Sequence, residues 1–132
     1  MPITVIRDGA RRWILARATG CISIGEMLTL IRTERATVEY QMWPMLFDAT
    51  SATTDATEEQ VAQAVDAVRQ AAERQGTRGH VAIVAGDDVF YARMLLYEAQ
   101  CAAIGVRVIR VFRQLKDAER WLAIVSAVQN FG

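Results

Sequence analysis

The run HVAIVAG at residues 80–86 limits the fold more than any other stretch of this chain. It is rich in β-branched residues and apolar throughout, with no polar alternation, so a strand formed there needs cover on both faces. Such strands lie inside parallel sheets flanked by helices. The neighbouring segments can supply those helices. Upstream, Val61, Ala64, Val65, Val68 and Ala72 recur at helical spacing, while Glu58, Glu59, Asp66, Glu73 and Arg74 fall on the opposite face. Thr57 with Gln60 three residues on is a capping box for that helix, and Gly76 and Gly79 punctuate its end. Downstream, Asp87 and Asp88 open a helix over VFYARMLLYEAQCAAIG, which Gly105 terminates.

The rest of the chain repeats this alternation. ITVIR at 3–7 leads into Asp8-Gly9, a hairpin signal, and RWILARATG at 12–20 returns as an antiparallel partner. Ser23 and Glu26 form a second capping box, followed by Ile24, Met27, Leu28 and Ile31 in a helical pattern running to Arg35. WPMLFDA is a short strand entered through Pro44, and VRVIRVF at 106–112 is the last strand. KDAERWLAIVSAV closes the plan as a helix buried through Ala118, Trp121, Leu122, Val125 and Val128. The expected order is a β-hairpin, then α, β, α, β, α, β, α. That is one α/β domain over residues 1–132, with a five-stranded mixed sheet, four helices and right-handed crossovers.

Composition removes several classes of function. Fifteen basic residues balance fifteen acidic ones, so no basic face for nucleic acid is expected. Fourteen of those basic residues are arginine, scattered along the chain, and only Lys116 is lysine. No apolar run approaches the roughly 20 residues of a membrane span, and no secretory signal is visible, so a cytoplasmic setting is expected. Cys21 and Cys101 stand far apart and read as small core residues in a reducing compartment. His80 is the sole histidine and starts a strand, so no metal, cofactor or catalytic triad is expected. Neither a GxGxxG nor a GxxxxGK[ST] cradle is present.

In an open parallel sheet, ligands gather beyond the carboxyl ends of the strands. Those ends carry Asp48, Thr50, Ser51, Asp87, Asp88 and Arg113. Convergence of these groups would make a polar site. Asp, Ser and Thr also cap helices and close turns, and that is the favoured reading. The hydroxyl-rich DATSATTDATEEQ at 48–60 accordingly reads as a strand end, a loop and a cap at Thr57. The helix after Asp88 raises a different question. Phe90, Met94, Tyr97, Cys101 and Ile104 form one apolar row, and Leu96 lies on another with Ala92, Ala99 and Ala103. Such a helix either packs between the sheet and a neighbouring helix or offers a partner surface.

The segments RGHVAIVAGDDVFYARMLLYEA and VRVIRVFRQLKDAERWL resemble the C-terminal half of small bacterial SpoIIAA-like proteins of the wider STAS group. Val111-Phe112-Arg113, Asp117-Ala118-Glu119 and Trp121-Leu122 carry the most specific part of the likeness. RATGCISIGEML and PMLFDATSAT extend it over nearly the whole chain. The resemblance implies a βα superhelix. It also implies a module acting through protein contacts, as anti-sigma-factor antagonists do, switched by phosphorylation at an Asp-Ser-Ser-Gly motif. Here that motif would fall on Asp55, Ala56, Thr57 and Glu58, so the first serine and the glycine are missing. Glu58 and Glu59 would repel an added phosphate of about two negative charges, leaving Thr57 or Ser51 as the acceptors to test.

Three expectations follow. The first is a non-enzymatic regulatory module that binds a protein partner or pairs as a homodimer, through Phe90, Met94, Leu96 and Tyr97. The second is a carrier of a small apolar molecule or lipid, with a cavity between helices and sheet near Met27, Phe47, Phe90 and Met94. The third, an enzyme using Asp48, Asp87 or Arg113, is the weakest.

Overall fold

The computed structural model describes residues 2–33, 38–76 and 78–131. Strands β1 (Ile3–Asp8) and β2 (Trp13–Ile22) form the N-terminal hairpin. Then follow α1 (Ile24–Thr33), a 3-10 turn at Val38–Tyr40, β3 (Met45–Thr54), α2 (Glu58–Gln75), β4 (Val81–Ala85), α3 (Asp88–Ala103), β5 (Ile109–Phe112) and α4 (Leu115–Phe131). The strands line up in chain order, β1 antiparallel to β2 and every later pair parallel. The expected five-stranded mixed sheet and four helices are thus present among the described residues. The α1 pattern continues in sequence to Arg35, but residues 34–37 lie outside them.

The sheet divides the interior into two layers. On one face α1, α2 and α3 pack over Ala16, Phe47, Ala49, Ile83 and Val111. On the other, α4 alone covers Trp13, Leu46, Ala82 and Val84 through Ala118 and Leu122. Strand β4 is covered on both sides: Ala82 and Val84 face α4 while Ile83 and Ala85 face the other helices, which is why its sequence does not alternate. Phe90 and Leu122 are fully buried in the two layers, and truncating either side chain would cost about 2–5 kcal/mol. No helix among the described residues is long and apolar enough to cross a membrane.

Caps appear where expected. Thr57 Oγ1 accepts from the Gln60 amide at 3.1 Å, and Gln60 Oε1 accepts from the Thr57 amide at 2.9 Å. Ser23 and Glu26 form the same reciprocal pair at the start of α1. Three expectations need correction. Strand β3 does not stop at Ala49 but continues through Thr54, because the second half of β2 runs alongside it and pairs Thr19 to Ile22 with Ser51 to Thr54. A register shift between Arg17 and Thr19 accommodates the extra β3 residue. Cys21 is exposed on β2, its side chain on the opposite face from the buried Ile22, whereas Cys101 is buried. Val128 is 67% exposed, because α4 has run past the edge of its layer by that turn.

Candidate functional site

At the carboxyl ends of the strands, the structure unites only part of the expected polar cluster. Asp48 Oδ1 accepts from the Thr50 amide at 3.1 Å and from Thr50 Oγ1 at 2.5 Å, and Arg17 Nε lies 3.9 Å from Asp48 Oδ2. With Ser51 and Arg113 these groups border an open depression on the α4 side. Gly86 permits the close approach of β3 there, since a Cβ at that position would meet the Thr50 carbonyl oxygen at 2.5 Å. Asp87 turns away to cap α3, its Oδ2 accepting from the Phe90 amide at 3.0 Å. Asp88 pairs with Arg113 at 2.7 Å, but its carboxylate is 92% exposed, so the pair contributes little. Arg113 also lies over the Tyr91 ring, 4.6 Å from its centroid. Asp48, Thr50, Asp87, Asp88 and Arg113 each hold local structure, Ser51 is exposed on β3, and Thr57 is a helix cap.

Helix α3 settles the second question by burial. Phe90, Met94 and Tyr97 are 0%, 4% and 8% exposed, and Leu96 is half-buried. The expected partner surface is therefore corrected: its central row faces the sheet and α2. The polar residues of α3 serve the same packing. Arg93 Nε donates to the Ala56 carbonyl at 3.0 Å, holding the entry to α2. Glu98 Oε1 accepts from the Val111 amide at 2.7 Å, occupying an N–H on the open side of edge strand β5. Burial pushes the Cys101 thiol up to about 12, with a hydrogen bond from Tyr97 opposing, so it is no nucleophile near neutral pH.

A second, predominantly apolar concavity lies between the sheet and helices α1, α2 and α3. It is open at one end and has a volume of about 360 Å³. Met45, Phe47, Val81, Ile83 and Ile109 floor it, and Met27, Ile31, Val61, Met94 and Tyr97 wall it. Three of the four residues expected to line a carrier pocket are here; Phe90 is not among them, being packed one turn further toward the N-terminus of α3. The space exists because the inward face of α2 presents Ala64, Val68 and Ala72, small side chains stacked one helical turn apart. The rim falls at the amino ends of β4 and β5, where exposed Gly76, Gly105 and Arg107 mark the opening.

One rim residue had no expected role. Arg78 lies in the connection from α2 to β4 and lines the cavity. Its Nη2 donates to the Ile31 carbonyl at 3.3 Å, while its buried Nε has no acceptor among the described residues. Burial pulls its pKa below the ordinary arginine value, the phenol of Tyr97 acts the other way, and Arg74 adds to the depression. The segment is pinned beside it. The Gly79 amide donates to the Gln41 carbonyl at 3.1 Å, and a Cβ on Gly79 would stand 2.4 Å from the Met42 carbonyl oxygen. The only sequence signal for this arrangement was a cation set between two glycines in GTRGH. Among the described residues, no group of three or more His, Cys, Asp or Glu side chains could hold a metal ion.

A hairpin leading into parallel β/α units, three helices on one sheet face and one on the other define a SpoIIAA-like fold. An uncharacterised DUF3478-family protein from Shewanella loihica PV-4, with a SpoIIAA-like fold, superposes with a TM-score of 0.52 at 16% identity. The match covers 91% of this chain and 91% of that one. No protein-family model and no curated protein matches the chain.

Proposed function

We propose that this protein is a non-enzymatic binding module that holds one small apolar molecule between its sheet and helices α1, α2 and α3. The cavity of about 360 Å³ carries this reading, with a volume inside the range of small-molecule sites, about 300–1,000 Å³. A physical cost supports occupancy. Its apolar lining opens to water and lacks the apolar contacts of a packed core, and covering that surface is favourable at about 25 cal/mol per Å². A bound apolar molecule restores those contacts. The strand-end carboxylates give catalysis no comparable support, since Asp48, Asp87 and Asp88 are each engaged in local structure.

Native mass spectrometry tests this, on protein as isolated and after incubation with decanoate and with decanol. One bound molecule per chain is the expected mass. The chain mass alone in all three samples would overturn the reading. A second reading, contact with a protein partner or a second copy, has one observation behind it: Val89 and Ile104 on or beside α3, and Ile124 and Val128 on α4, are 43–67% exposed. Sedimentation equilibrium at micromolar concentration tests the self-pairing form, and a monomer throughout would remove it.

A further inference from the structure

We propose that the molecule bound in this cavity is an amphiphile with a single anionic head, a carboxylate on an aliphatic chain, and that Arg78 receives the head. This inference rests on the binding reading above and names its ligand class. The charge pattern of the cavity is one-sided. Among the described residues that line it, Arg78 and Arg107 are the charged ones, and none is a carboxylate. The connections that carry the two arginines run side by side, because Val81 pairs with Ile109 and donates to the Val108 carbonyl at 2.8 Å. The positive end therefore coincides with the opening, and the apolar body extends away from it over Phe47 and Ile83.

The guanidinium also has unused capacity where it matters. Its hydrogen-bond partner among the described residues is a neutral carbonyl at 3.3 Å, and it makes no ion pair among them. Arg78 is half-buried with its Nε fully shielded, and a desolvated charge without a counter-charge is disfavoured, so an anion there would stabilise it. The chain terminus of α2 does not supply it: the Gln75 carbonyl takes the Gln41 side-chain amide at 2.6 Å, and the Ala72 carbonyl takes the Gly76 amide at 2.8 Å. A ligand carboxylate would complete the site, since an arginine–carboxylate contact is among the stronger charge-assisted hydrogen bonds. The volume fits one medium-length chain; a two-chain phospholipid exceeds it.

The test compares decanoate with decanol, which share a chain and differ in the head, by titration calorimetry on wild type and Arg78→Met. Methionine keeps an apolar stem in place of the arginine. Wild type is expected to prefer decanoate by about tenfold or more, and Arg78→Met to lose that preference while still binding decanol. Equal wild-type affinity for the two would overturn the anionic head and leave the cavity reading standing. Retained preference in Arg78→Met would overturn the assignment to Arg78. Binding of neither compound would overturn both this inference and the reading it rests on. The wild-type comparison stands even if Arg78→Met fails to fold, and Arg107→Met, at an exposed rim position, gives a second and smaller loss of the same preference.

Discussion

Replacing Ala64 by leucine adds three carbon atoms on the inner face of α2, where the alanine is 3% exposed and borders the cavity. In a close-packed core such an insertion destabilises by about 1–3 kcal/mol, because neighbours must move. Here the added atoms enter open space. At about 0.8 kcal/mol per buried methylene they contribute about 2.4 kcal/mol. Freezing the leucine rotamer returns about 0.5–1 kcal/mol of that, and the helix propensities of the two residues are close. The net gain is about 1.5 kcal/mol, or a rise of roughly 6 °C in Tm for a chain of this length. The assay is thermal unfolding by circular dichroism, on protein refolded from denaturant to strip any co-purified ligand. Ala64→Leu should melt higher than wild type and bind decanoate at least about tenfold more weakly, since the side chain takes the ligand's place. A fall in Tm of several degrees would refute the reasoning, by showing that no space exists beneath α2.

Two further outcomes rest on other parts of the molecule. Thr57→Ala should lower stability by about 1 kcal/mol in urea unfolding, whereas Thr57→Asp, an equally good cap, should leave it nearly unchanged; a large loss in both would assign Thr57 more than capping. Cys101 has a thiol pKa raised from 9.0 to about 12, so the unfolded chain loses this proton at lower pH than the folded one. Its contribution to stability is complete below pH 9 and is lost as pH rises toward 12, so wild type should weaken over that interval relative to Cys101→Ala. In the same sample at pH 8, a thiol reagent should label Cys21 quickly and Cys101 only on unfolding, and equal rates would contradict the burial of Cys101.

The order of elements was legible because each carries its own period. Val61, Ala64, Val65 and Val68 repeat as a helix must, and HVAIVAG lacks the alternation of a half-solvated strand. The segment from Thr50 to Thr54 was misread because serine and threonine serve turns as readily as strands, and only the neighbouring β2 decides between them. Helix α3 left two meanings open, since apolar cover on most sides suits either a core or an interface; its double contact with the sheet and α2 chose the core. The candidate site was half legible. Met27, Phe47 and Met94 could be named from their apolar faces, but a void is a property of what fails to meet across a layer, and no single segment encodes it. Arg78 was hidden for a related reason. Its importance comes from Ile31, some 47 residues earlier in the chain, lying against it.

The most direct measurement uses the methionines. Met27, Met45 and Met94 border the cavity, while Met42 is 40% exposed outside it. In protein labelled with ¹³C at the methionine methyls, titration with decanoate should shift the Met27, Met45 and Met94 signals together, saturating at one equivalent, and leave Met42 nearly in place. Shifts confined to Met42, or three unmoved cavity signals at saturating decanoate, would contradict the claim that the ligand lies between the sheet and its three helices.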